Sequence, residues 1–214
     1  MKKIIATLSF ALICIANQAF KAQTLEESVK ATYQQLDTAK TLGQFMAASS
    51  ACDILTNKYP NEFITNYYSA YAKALISYRE KDSKRRDLYL DMANKYYDKV
   101  KEIKPNDSET FALGAMLANA RLSVDGASRW KEYGAIFEEN LTKAKELNPN
   151  NPRIYYLKGA ALFYTPKMFG GGGKKAKPFL EQAKPLFPTQ DTSSVLIPTW
   201  GERQTDEFMK MCDE

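Results

Sequence analysis

Leu147, Asn148, Pro149, Asn150, Asn151, Pro152, Arg153, Ile154, Tyr155, Tyr156, Leu157, Lys158, Gly159, Ala160, Ala161, Leu162 and Phe163 follow one another in the third quarter of the chain. They read as the end of one helix, a tight turn and the start of the next. Asn151 is a good N-cap, because its side chain can accept from free N–H groups of the first turn. Pro152 then takes the first helical position, where a missing N–H costs nothing. Small residues at Gly159 and Ala160 let a second helix approach closely, with Tyr155 and Leu162 as bulky neighbours.

The same grammar recurs. Four prolines, Pro60, Pro105, Pro149 and Pro188, lie at intervals of roughly 40 to 45 residues, a spacing that points to a repeated structural unit. Twelve residues before each stand Ala48, Ala93, Phe137 and Ala176. Eight before stand Cys52, Tyr97, Leu141 and Leu180, and five before stand Leu55, Val100, Ala144 and Ala183. All are apolar or aromatic, at offsets that stripe one face of a helix. Each proline then steers the residue before it out of helical geometry and ends its helix. After the first three prolines a second amphipathic helix begins, over residues 63–78, 108–124 and 152–164. Thr24 with Glu27 is a capping box for a first helix over 24–40, and a second helix runs over 45–58. A further capping box, Thr199 with Glu202, opens a terminal helix through Phe208 and Met211. The expectation is an all-α chain of nine or ten helices.

This pattern resembles the tetratricopeptide repeat, and Pro149, Asn150, Tyr155, Gly159 and Leu162 fit that consensus closely. The resemblance covers residues 41–190 and implies a helical-hairpin repeat solenoid closed by capping helices. Units longer than the usual ~34 residues place the excess in the connections, over 79–86, 125–131 and 165–175. The basic run at 81–86 then reads as a solvated loop. A second resemblance rests on Thr165, Pro166, Lys167, Met168, Phe169 and the glycines at 170–173, followed by Ala176 and Leu180. It is similar to small exported repeat proteins of the Bacteroidota and to the helical-repeat accessory component of tripartite ATP-independent periplasmic transporters.

Residues 1–22 read as a signal peptide: Lys2 and Lys3, an apolar run over 4–16, and a small residue at Ala22 before Gln23. Ile13 before Cys14 is not the small residue a lipobox needs, so lipidation is not expected. Removal of Lys2, Lys3 and Lys21 brings the formal net charge of +5 close to balance, and no nucleic-acid partner is implied. Residues 23–214 then form one domain, periplasmic or secreted. Its two cysteines, Cys52 and Cys212, leave two readings open: a bridge across 160 residues of helix, or a free Cys52 filling a small apolar core position.

Chemistry is sparse. Histidine, the commonest general base and metal ligand, is absent. No paired carboxylates or nucleophile–base set can be picked out by spacing, so the chain reads as non-enzymatic, with no cofactor and no metal. Gly170, Gly171, Gly172, Gly173, Lys174 and Lys175 are glycine-rich ahead of a helix. However, Met168 and Lys175 stand where a phosphate-binding loop needs Gly and Ser or Thr. The stretch reads instead as a connection with Phe169 tucked into the hairpin.

In the resembled class the first helices line a concave groove. By repeat register Tyr67, Tyr71, Asn119, Arg153, Tyr156 and Phe163 point into it. Tyr and Arg are common interface anchors, which makes a protein or peptide in the groove the first functional reading. A periplasmic transport accessory that binds or channels a small ligand, as a homo-oligomer, is the alternative.

Overall fold

In a computed structural model of the chain, residues 24–191 and 194–213 are described; the expected signal peptide lies outside them. Among these residues all regular structure is helical. The helices are α1 (Leu25–Thr38), α2 (Leu42–Lys58), α3 (Phe63–Arg79), α4 (Ser83–Ile103), α5 (Ser108–Leu122), α6 (Gly126–Leu147), α7 (Pro152–Tyr164), α8 (Gly173–Ala183) and α9 (Glu202–Asp213). Two 3-10 turns, Lys167–Phe169 and Lys184–Thr189, flank α8. No helix among the described residues is long and apolar enough to cross a membrane.

Caps set the helix starts. Thr24 and Glu27 bond reciprocally, as do Thr41 and Gln44, so α1 and α2 both open on capping boxes. Asn151 accepts from Arg153 N and Pro152 is the first residue of α7, as its sequence indicates. Asp82 and Asp125 cap α4 and α6. These two caps correct the expected connections. Ser83, Lys84, Arg85 and Arg86 are the first turn of α4 rather than a loop, and α6 already begins at Gly126. The excess over a short repeat has gone into long second helices, of 21 and 22 residues.

The apolar stripes do the packing. Of the twelve positions counted back from the prolines, all but Tyr97 are buried, and Tyr97 is half-buried. They bring α3 against α4, α5 against α6 and α7 against α8, while α3, α5 and α7 contact one another in a row and α1 joins α3. The fourth unit ends differently. The α-helix stops at Ala183, and the chain passes Pro185 and Pro188 as a 3-10 turn.

Close approach is visible where α7 meets α8. A Cβ built on Gly159 would lie 2.7 Å from Leu180 Cδ2 and 2.8 Å from its Cγ, so only a missing side chain fits. Cys52 is buried and unbridged, and Cys212 is a separate free thiol on α9. Burial pushes the Cys52 thiol up to about 12, which makes it a packing residue rather than a nucleophile. Phe169 does not tuck into its hairpin. The 3-10 turn that carries it holds it outward, 72% exposed.

Candidate functional site

Helices α3 and α7 carry tyrosines to one side of the molecule, and an irregular segment over residues 196–201 crosses that side. Trp200 is its anchor. The indole stacks on Tyr71 with ring centroids 4.9 Å apart and meets Tyr156 edge-on at 5.8 Å. Its Nε1 donates to the Tyr67 hydroxyl at 2.9 Å, and Tyr67 in turn donates to Glu109 Oε2 at 3.1 Å. The Thr199 amide donates to the Tyr68 hydroxyl at 3.2 Å.

Arg153 holds the segment from below. One guanidinium nitrogen donates to Glu109 Oε1 at 2.8 Å, the other donates to the Pro198 carbonyl, and the group lies 5.3 Å from the Trp200 ring. Asn151 Nδ2 also donates to Glu109 Oε1, at 2.8 Å. Three donors therefore converge on one buried carboxylate and satisfy it, as a buried charge requires. The guanidinium Nε has no partner.

The Thr199–Glu202 capping box expected from the sequence is not formed. Thr199 points back to Tyr68, and the turn into α9 is made by Gly201 at φ +113°, where the Gly201 amide donates to Gln204 Oε1. A left-handed backbone of that kind favours glycine.

Beyond Trp200 the aromatic face stays open. Tyr156 meets Phe208 of α9 at 6.1 Å, and Phe208 meets Phe163 and Tyr164 at 5.3 and 5.7 Å. Tyr78 at the end of α3 donates to Asn119 Oδ1 at 2.9 Å and to the Met116 carbonyl at 3.2 Å. Arg79 lies over the Phe45 ring, 3.8 Å from its centroid, and donates to the Leu75 carbonyl at 3.0 Å. Among the described residues Arg79 has no carboxylate partner, and the hydroxyls of Tyr71 and Tyr156 have no hydrogen-bond partner.

These groups share one neighbourhood. The pKa of Tyr71, Tyr78 and Tyr156 is raised, first by burial. Arg79 is crowded enough that desolvation pulls it below the ordinary arginine value, while the phenols of Tyr71, Tyr156 and Tyr164 act the other way. Arg203, in the same neighbourhood, is already engaged, with Asp37 at 3.1 Å and Glu207 at 2.6 Å. The result is an aromatic cluster with neutral phenols and one cation that, among the described residues, has no carboxylate partner.

The six residues placed in a groove by register divide between these two zones. Tyr67 and Arg153 lie fully under the crossing segment, at 0% and 1% exposure. Tyr71 lies under Trp200 with its hydroxyl at the border. Asn119, Tyr156 and Phe163 belong to the open end and are half-buried. The six residues chosen by register leave out Trp200, Arg79, Tyr78 and Phe208. Trp200 alone carried a signal, as one of the chain's 2 tryptophans set between Pro198 and Gly201, which mark a non-helical stretch. Two other clefts are present, about 480 Å³ between α8 and α9 beside Phe187 and Asp206, and about 540 Å³ at the starts of α5 and α7 beside Asn150 and Pro198. Neither gathers comparable aromatic groups.

The class of fold is thus all-helical, with helices paired along the chain and one aromatic face crossed by the C-terminal segment. No family model and no curated protein matches the sequence. Among solved structures, the HusA haemophore from Porphyromonas gingivalis is similar, with a TM-score of 0.76 at 28% sequence identity, over 90% of this chain and 94% of that one.

Proposed function

We propose that this chain is an exported, non-enzymatic binding protein, a tetratricopeptide-like stack of hairpins that carries a planar, anionic, largely apolar ligand of the porphyrin class. The ligand lies at the open end of the inner face, between Tyr71, Tyr78, Tyr156, Phe163 and Phe208. One observation carries the reading: among the described residues, the Tyr71 and Tyr156 hydroxyls and the Arg79 guanidinium there have no side-chain hydrogen-bond or ion-pair partner. Together they suit the carboxylates of a flat aromatic ligand. The likeness to a haemophore supports the same class of ligand.

Residues 196–201 favour a small ligand over a peptide. They already occupy the part of the inner face that an extended chain would need, with Trp200 only 2% exposed. The chain's own residues have modest tasks: aromatic faces stack on the ligand, Tyr71 and Tyr156 donate, and Arg79 neutralises a carboxylate. Since burial keeps the phenols protonated, they remain donors through the physiological pH range.

Titration with haem, followed in the visible spectrum, tests the proposal. A saturable change at one equivalent is expected, with quenching of tryptophan emission from Trp200 beside Tyr156. A linear, non-saturating response would contradict it.

A further inference from the structure

The turn between α7 and α8 presents two strongly exposed apolar side chains in succession. Met168 is 82% exposed and Phe169 is 72% exposed. Neither is loose. The turn is closed by Phe169 N to the Pro166 carbonyl, Gly170 N to the Lys167 carbonyl and Gly172 N to the Leu162 carbonyl, at 2.9, 3.0 and 2.8 Å. Gly170 and Gly172 take φ of +85° and +94°, which fixes the outward bend.

The charges around this knob are one-sided. Lys167 lies within the turn, and Lys174 and Lys175 are the second and third residues of α8. Among the described residues none of the three has a carboxylate partner. Lysines in a first turn work against the helix dipole, and this helix has neither a side-chain cap nor an acidic residue there. Stability explains neither the exposed Met and Phe nor these cations.

We infer that the knob docks on an anionic phospholipid surface, with Met168 and Phe169 entering the headgroup–acyl boundary and Lys167, Lys174 and Lys175 facing the lipid phosphates. A convex tip with two apolar side chains offers a protein partner little area to cover. A lipid boundary takes up such a tip and rewards flanking lysines. The knob follows directly on Phe163 and Tyr164 at the end of α7, and its docking does not depend on the proposed ligand.

Co-sedimentation of the purified chain with vesicles of equimolar phosphatidylglycerol and phosphatidylcholine, against phosphatidylcholine alone, tests this. Binding is expected to the anionic vesicles only and to weaken with salt. Each Lys→Gln change at 167, 174 or 175 should lower the partition about fivefold. The Met168→Ser/Phe169→Ser variant should lose at least tenfold at an unchanged melting temperature. In Phe169→Trp, the added emission should shift to the blue on vesicle addition, a readout independent of the serine variant. No binding by the parent, undiminished binding by the serine variant, or an unshifted emission from the Phe169→Trp variant overturns the inference.

Discussion

Trp200 stacks on Tyr71, 28° from parallel, although α3 and the segment before α9 are far apart in sequence. The same indole donates to Tyr67, so one side chain ties the C-terminal segment to two turns of α3. Trp200→Ala removes the ring from a fully enclosed place and leaves the Tyr67 hydroxyl with one partner fewer. Large-to-small changes of this kind cost about 3–5 kcal/mol. Chemical denaturation should register that loss as a lower midpoint, and near-ultraviolet circular dichroism should lose its aromatic signal.

Arg153 and Glu109 form the buried ion pair beneath that segment, at 2% and 12% side-chain exposure. Removing one partner leaves the other charge uncompensated, which typically costs about 3–5 kcal/mol. Arg153→Met should therefore destabilise strongly. Glu109→Gln leaves the Arg153 guanidinium buried without a counter-charge and should destabilise strongly as well. Equal midpoints for Arg153→Met and the parent in a urea titration would rule this pair out as an anchor.

Asp87 on α4 binds Arg129 of α6 and Arg121 of α5, at 2.7 and 2.8 Å. Hydrogen bonds from Arg129, then Arg121, lower its pKa to about 2. A folded value below the unfolded one, about 3.9, means stability that is present above pH 4 and lost as pH falls through 2. The loss amounts to roughly 2–3 kcal/mol. Asp87→Asn should remove that component, so the difference in stability between parent and variant should be constant above pH 5 and shrink below pH 4.

Gly159 separates packing from helix propensity. Alanine would improve propensity by about 1 kcal/mol, but its Cβ would meet Leu180, which is fully buried and cannot withdraw. Overpacking costs about 1–3 kcal/mol. Gly159→Ala should thus melt no higher than the parent, and Gly159→Leu should melt lower still. A stabilised Gly159→Leu would mean that α7 and α8 do not cross there.

The sequence shows the helical hairpins because Ala48, Ala93, Phe137 and Ala176, with their partners along each helix, repeat a spacing that only a buried helical face requires. It hides the starts of α4 and α6. Their first turns carry Ser83, Lys84, Arg85 and Arg86, and Gly126 to Arg129, which lack any apolar period. The only clues are single Asp caps at Asp82 and Asp125. The crossing segment is harder still. Residues 196–201 form no regular element, so their contacts with Tyr67, Tyr68 and Arg153 leave no periodic trace, and Thr199 with Glu202 imitates a cap. Register places Tyr71 and Tyr156 on the inner face without showing what covers it. Arg79 carries no sequence signal, because its lack of a carboxylate partner among the described residues is a property of the folded neighbourhood alone.

In the proposed binding mode Arg79 and the phenols of Tyr71 and Tyr156 recognise carboxylates on a flat aromatic ligand. Affinity for iron-free protoporphyrin against its dimethyl ester measures this directly, since the two share the ring and differ in charge. A charge-assisted contact of about 1.5–3 kcal/mol predicts that the parent prefers the diacid at least tenfold and that Arg79→Gln removes most of that preference while leaving ester binding unchanged. Equal affinity of the parent for diacid and ester, or a preference untouched by Arg79→Gln, would contradict the account.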